Sequence, residues 1–500
     1  MDTDSAKWLK RRSGSDIRSR EELLTDEVCE KIGYAFARML AERLGTTPDR
    51  LVIAVGRDAR PSGSRIKAAL IRGLTAADSD VLDGGLCAAP ALFMLLNRPA
   101  SSGERGEPPR VDGAVMVTAG AAPEGVNGFK FMTSAGGLRE PDVALILRLA
   151  GASEVPERLV TRLDPMERYR DYLLNAAARL LEDDALKPLL GLYVVVDTDS
   201  AGGAFFAELI EGLGADVERL AAGDALSTAV QSYEADMGVG FDADQSRAFL
   251  FDDAGRAVDG NRLIALISQM LLDSRPGGTI VTDSVTSTGL SAFIAEWGGV
   301  HYRFKRGYRS VIDEAIRLNN EGIDCPLAME TSGHAAFREN GFLDDGIYLA
   351  LRVACRALDC KREGKRVFDP LADLSEPVEA VSLRLRILDE EDPAEACQEV
   401  VEVILSNTLA NPEWRMAPDS REGVRILFNL DGGVNNAWFQ LRMSVHDPIM
   451  ALNAESDVPG GVKRVLGQLY RLIQNTRLLD LSPLRQAVDA ASENAPSPLE

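Results

Sequence analysis

The sequence predicts a mixed α/β protein of several domains: three related α/β domains followed by an α+β domain. Three observations carry this expectation. The chain has 500 residues, too many for one hydrophobic core and enough for three or four. An apolar run, a loop of small residues and an amphipathic stretch follow one another near the start, again from 191, and again from 278. Late in the chain the pattern changes to apolar–polar alternation, as in AVSLRLRI (380–387) and NAWFQLRMS (436–444). The expected domains are 1–170, 171–275, 276–382 and 383–500.

The elements follow in order. LTDEVCEKIGYAFARMLAERL (24–44) has helical apolar spacing and opens on a Thr-Asp cap. LVIAVG (51–56) reads as a buried strand, SRIKAALIRGLTAA (64–77) as a helix, and DVLDGG (80–85) and GAVMVTA (113–119) as further strands. ASSGERGEPPR (100–110) is a polar Gly/Pro loop. GLYVVVDTDSAGGAFFAELIEGLGADV (191–217) is strand, turn, helix and the lead into another strand. GTIVTDSVTSTGLSAFIAEWGGVHYRF (278–304) repeats that grammar. In the last domain a helix is expected over 456–476, and SENAPSPLE (492–500) reads as a frayed end.

Bulk properties exclude several functions. A net charge of −22 argues against a nucleic-acid partner, because phosphate backbones require a positive surface. No 18-residue apolar run is present, so no membrane span is expected. MDTDSAKWLKRRSGSD (1–16) lacks the apolar centre of a signal peptide. The six cysteines (29, 87, 325, 355, 360, 397) form no C-x-x-C pair, which points to reduced thiols and a cytoplasmic location rather than a zinc site.

Open α/β sheets bind ligands at the carboxyl ends of their strands. Six short stretches lie at or near such places: GSDIRS (14–19), VGRDARPSG (55–63), VTAGAAPEGVNGFKF (117–131), GVGFDADQSRAFLFDDAG (238–255), AMETSGHAAF (328–337) and WFQLRMSVHDP (438–448). Together, in this order, they resemble the α-D-phosphohexomutases, the phosphoglucomutase/phosphomannomutase superfamily. The resemblance spans nearly the whole chain. VTDSVTSTGL, HYRFKRGYRSVIDEAIRLNNEG and AMETSGH are especially similar to a bacterial and plastid phosphoglucomutase-like subgroup. It implies four domains arranged around a central cleft and a phosphotransferase that interconverts hexose 1- and 6-phosphates.

The resemblance also assigns roles. Arg18 falls on an arginine close to the reacting hydroxyl and phosphate, a place suited to a planar, permanently charged donor. Arg57, Asp58 and Arg60 match a motif that braces the first loop or meets substrate. The family carries Thr-Ala-Ser-His before Asn-Gly-x-Lys; here Thr118-Ala119-Gly120-Ala121 precedes Asn127-Gly128-Phe129-Lys130. The phosphorylated serine nucleophile thus falls on Gly120 and its histidine neighbour on Ala121, while Lys130, implied near the transferred proton, is kept. The Asp-x-Asp-x-Asp-Arg loop that binds Mg²⁺ becomes Asp242, Asp244, Ser246 and Arg247. Glu330, Ser332 and His334 match the sugar-binding loop, where carboxylate and hydroxyl suit sugar hydroxyls and the imidazole suits proton transfer. Arg442 and Ser444 match the loop that grips the second phosphate, with His446 and Asp447 replacing Thr and Glu.

Covalent phosphoryl transfer requires a hydroxyl nucleophile, and glycine has none. Thr118 and Ser134 are near in sequence, but two residues along an extended strand move a Cβ by about 7 Å. In-line transfer tolerates about 1 Å. The implied metal loses the phosphoserine oxygen and one of three carboxylates, so Mg²⁺ is expected to be weak or absent. The leading expectation is a hexose phosphate-binding protein whose phosphoserine mutase activity is in doubt. The alternatives are an active phosphotransferase and a noncatalytic subunit that partners an active paralogue.

Overall fold

A computed structural model describes residues 8, 11–97, 110–152, 161–162, 164–182, 185–220, 225–388, 393–444 and 447–490. Residues 100–109 of the expected loop 100–110, His446 and the end of the chain from 491 lie outside these residues. The chain divides into two units: Met1–Asp259 with Ser332–Asp369, and Gly260–Thr331 with Pro370–Glu500.

The first unit carries two sheets. The first is built from β1 (Arg12–Ser13), β2 (Asp16–Arg20), β3 (Val52–Arg57), β4 (Asp80–Leu86), β5 (Gly113–Val117), β6 (Val126–Thr133), β7 (Gly136–Gly137) and β8 (Thr161–Arg162). Its order is β1-β2-β6-β5-β3-β4-β8, with β7 paired to β6. Strands β3, β4 and β5 are parallel, as expected for runs such as VIAV and GAVMV that are apolar on both faces. All five residues of β5 are buried. Helices α1 (Asp26–Leu44), α2 (Gly63–Ala76), α3 (Ala89–Asn97), α4 (Glu140–Ala150) and α5 (Pro165–Leu181) complete this part. The Thr-Asp cap works as expected: the Thr25 side chain accepts from the Val28 amide and Asp26 opens the helix.

The second sheet has β9 (Tyr193–Asp197), β10 (Asp216–Leu220), β11 (Met237–Phe241), β12 (Ala248–Phe251) and β13 (Ala257–Val258), in the order β10-β9-β11-β12-β13. Strands β9, β10 and β11 are parallel, and β11 turns back antiparallel into β12. Helices α6 (Ala201–Gly212) and α7 (Leu226–Tyr233) connect them. The return from β11 to β12 holds residues 242–247, the acidic motif.

In the second unit, Thr279–Thr282 lies between the parallel strands Val300–Arg303 and Leu327–Met329. A separate antiparallel sheet runs Glu379–Arg386, Ile449–Ser456, Ala437–Met443, Val424–Phe428 and Arg415–Met416. The helix expected over 456–476 spans Gly461–Ile473. Ser456 instead ends IMALNAES (449–456), a strand whose burial alternates residue by residue, and a turn over 457–460 leads into the helix. Helix Gly260–Ser274, which the expected boundary at 275/276 leaves in the second domain, falls in this second unit. Cys355 and Cys360 lie on helix Gly346–Arg362, both buried and both free thiols.

Candidate functional site

In the first unit the site begins where β5 ends. Thr118 leaves the strand and donates from Oγ1 to Asp58 Oδ2 at 2.8 Å, while accepting from the Gly120 amide at 3.0 Å. The Arg60 guanidinium then fans across the loop. It donates to the carbonyls of Gly120 (2.6 Å), Ala122 (2.7 Å), Val126 (3.1 Å) and Pro123 (3.2 Å). Asp58 lies 3.3 Å from Arg60 Nε, so the pair braces the loop from inside. Burial pushes the Asp58 carboxyl up, against the Thr118 hydroxyl and Arg60. Arg57 points elsewhere and lines a cavity of about 660 Å³ with Ser64, Lys67 and Asp83.

Gly120 has φ +57°, a left-handed conformation. A Cβ built there meets Arg18 Nη2 at 3.6 Å and Asp244 Oδ2 at 3.9 Å, ordinary contact distances. Arg18 is brought there by register, because it pairs with Gly128 across β2 and β6. A Cβ at 128 would lie 1.9 Å from the Ile17 carbonyl oxygen, so only glycine allows this approach. Arg18 is steadied by Asp16 at 3.0 Å.

Lys130 stands on β6 opposite Met116 and is buried, 3.2 Å from the buried Asp244 Oδ2. Asp244 Oδ1 accepts from the Ser246 hydroxyl at 2.7 Å and its amide at 3.3 Å. Asp242 accepts from Arg247 at both oxygens, from the amide at 3.1 Å and from Nε at 2.9 Å. Burial opposes ionisation of Asp244, but the Lys130 ammonium, the Ser246 hydroxyl and His334 outweigh it and hold the carboxyl below the ordinary carboxylate range. Burial and the Asp244 charge raise Asp242 instead. His334 forms a β-bridge with Arg247, and its Nδ1 faces Asp344 at 2.8 and 3.0 Å.

The donor set does not fit a resident Mg²⁺. Among the described residues no group of three or more His, Cys, Asp or Glu side chains is placed to hold a metal. All four oxygens of Asp242 and Asp244 face N–H or O–H donors. Those donors weaken both carboxylates as ligands for a hard cation, and two carboxylates are few for an ion that takes six oxygens.

Neither neighbouring hydroxyl replaces the missing serine. Thr118 is buried and hydrogen-bonded both ways. Ser134 follows Thr133, which pairs with Gly113, whereas Phe129 pairs with Val117. Four residues of strand, about 13 Å, thus separate it from the Gly120 end.

The second unit carries the other sequence-predicted residues except Ser332, which lies in the first. Glu330 is buried and its Oε1 accepts from the Gly307 amide at 2.6 Å. Arg442, also buried, lies 3.8 Å from Glu422. Glu422 Oε2 accepts from Ser284 Oγ at 2.5 Å and the Arg306 amide at 3.1 Å. Asp283 accepts from Thr331 Oγ1 at 2.7 Å and lies 3.8 Å from Arg306. The Ser444 amide donates to the Ile449 carbonyl at 2.9 Å. Asp283, Ser284, Arg306 and Glu422 join this cluster without having been anticipated. The signal for the first three was the strand-end run VTDS (281–284) and the KRG turn (305–307); Glu422 lies in neither stretch.

The fold and these loops define a class: a multi-domain α/β protein that carries its polar chemistry on loops at strand ends. Comparison with known proteins narrows it. Residues 10–151 match the model of phosphoglucomutase/phosphomannomutase alpha/beta/alpha domain I, and residues 259–376 match that of domain III. A phosphoglucosamine mutase of Desulforudis audaxviator is 30% identical over 397 residues, covering 74% of this chain and 81% of the relative. A phosphoglucomutase of Neisseria meningitidis is 26% identical over 479 residues, covering 90% and 94%. A phosphoglucomutase/phosphomannomutase family protein from Burkholderia thailandensis has the same fold, with a TM-score of 0.74 at 22% identity over 98% and 99% of the two chains. The chain belongs to the phosphoglucomutase/phosphomannomutase family, the α-D-phosphohexomutases, and is a phosphohexomutase-family protein of carbohydrate metabolism.

Proposed function

We propose that this protein binds a hexose phosphate and is not a phosphoserine mutase. One observation carries the reading. A Cβ at position 120 would have Arg18 and Asp244 as its nearest neighbours, and the residue there is glycine. The groups that would recognise a phosphosugar remain: Arg18, Lys130, Ser332 and His334 on the first unit, Glu330, Arg442 and Ser444 on the second. Curated relatives are named as mutases of phosphoglucosamine, phosphoglucose and phosphomannose, which motivates a hexose phosphate as the ligand. A cytoplasmic location belongs to the same reading, motivated by six buried free thiols. Among the described residues no helix is long and apolar enough to cross a membrane.

Two measurements test it. Phosphorus NMR of glucose 1-phosphate with Mg²⁺ and a glucose 1,6-bisphosphate primer is expected to show no glucose 6-phosphate above a metal-free blank. Product above that blank makes the protein an active phosphotransferase. Calorimetry with glucose 6-phosphate is expected to show saturable binding. Silence there favours the noncatalytic subunit.

A further inference from the structure

We propose that the ammonium of Lys130 is the resident cation of the first unit's site, in place of a divalent metal. This deepens the hexose phosphate reading by making ligand capture there independent of metal. The charges already balance. Arg247 neutralises Asp242 at 2.9 Å, and Lys130 neutralises Asp244 at 3.2 Å. Both carboxylates and Lys130 are buried. A divalent ion added to two closed ion pairs would leave two uncompensated positive charges in a site of low dielectric.

The ligand set is short as well. Ser246 spends its hydroxyl hydrogen on Asp244 Oδ1, so a donor stands where the loop pattern has a third carboxylate. Gly120 supplies no side-chain oxygen, and its carbonyl accepts from Arg60. Lys130 is held in place because β6 is flanked by β5 and β2. What remains open is the space over position 120, where a Cβ would touch only Arg18 and Asp244. The Arg18 side chain is about one-third exposed, as 32% is. A phosphate monoester entering there meets a guanidinium fork in front of a fixed ammonium. Both are cations the chain itself supplies.

The test is Mn²⁺ titration of the full chain followed by electron paramagnetic resonance. Expected is no protein-bound ion at millimolar Mn²⁺, with or without glucose 6-phosphate. The double variant Lys130→Met with Ser246→Asp should gain affinity for Mn²⁺ of about tenfold or more, the scale on which a ligand's surroundings tune a metal site. Micromolar binding by the unaltered protein overturns the assignment. So does a rise of about tenfold in glucose 6-phosphate affinity when Mg²⁺ is restored to chelator-treated protein. The unaltered protein decides even where the double variant does not fold. Absent sugar binding together with absent Mn²⁺ binding overturns the hexose phosphate reading while upholding Lys130 as the cation. Mn²⁺ binding together with sugar phosphate binding overturns Lys130 as the cation and leaves the hexose phosphate reading standing.

Discussion

At position 120 two properties coincide, a missing hydroxyl and a left-handed backbone. The φ of +57° disfavours any side chain, at a cost of about 1–2 kcal/mol. The space itself is open, since the nearest atoms to a Cβ lie at 3.6 and 3.9 Å. Gly120→Ser is therefore expected to fold with a modestly lowered Tm, by a few degrees in thermal unfolding. Alone it should remain inactive by phosphorus NMR, because Ala121 and Ser246 are unchanged. A second residue shows how burial couples to pH. Burial raises the Glu455 carboxyl to about 7, against Arg425, the Trp438 indole at 3.1 Å and Arg303. A folded pKa above the unfolded value stabilises at low pH. That contribution is full below about 4.5 and is lost as pH rises through about 7, with an upper bound of about 3 kcal/mol. Glu455→Gln should flatten this dependence and be the more stable form, relative to its own low-pH value, above pH 7. Urea denaturation across the window checks it; parallel curves for the two proteins would refute the assignment.

At the scale of elements, the pairing of β2 with β6 decides where Arg18 stands. It depends on one close approach, that of Gly128 to the Ile17 carbonyl. Gly128→Ala should separate the two strands. The expected result is faster amide exchange in 16–20 and loss of glucose 6-phosphate binding, with exchange in β9–β11 unchanged. Protection intact in 16–20 would show that the register does not rest on this glycine. The strand–loop–helix units were legible because apolar runs and small-residue loops are local signals. Strands expected at 51–56 and 80–85 appear at Val52–Arg57 and Asp80–Leu86. The strand Ile449–Ser456 was not anticipated, and the helix expected from 456 begins only at Gly461. Its alternation merges into the amphipathic run that follows, and only pairing with two neighbouring strands reveals its length.

For the whole molecule, the decisive experiment joins residues from separate sheets. Gly120→Ser, Ala121→His and Ser246→Asp together are expected to recover turnover of glucose 1-phosphate in the presence of Mg²⁺. A folded triple variant that stays inactive would mean that the site has drifted beyond those three positions. Such coupling between distant loops is what one sequence does not display. By itself the sequence determined the α/β class, the order of the loops, the family and the absence of a hydroxyl at Gly120. These rest on residue identity and short-range pattern. Only the tertiary structure decided that Arg18 and Asp244 are the nearest neighbours of a Cβ at 120, and that Ser134 lies at the far end of the β5–β6 pair. It also paired Lys130 with Asp244, 114 residues away, and closed Asp242 onto Arg247. Those relations depend on strand register and on the packing of one sheet's loops against another's, which spacing along the chain does not encode.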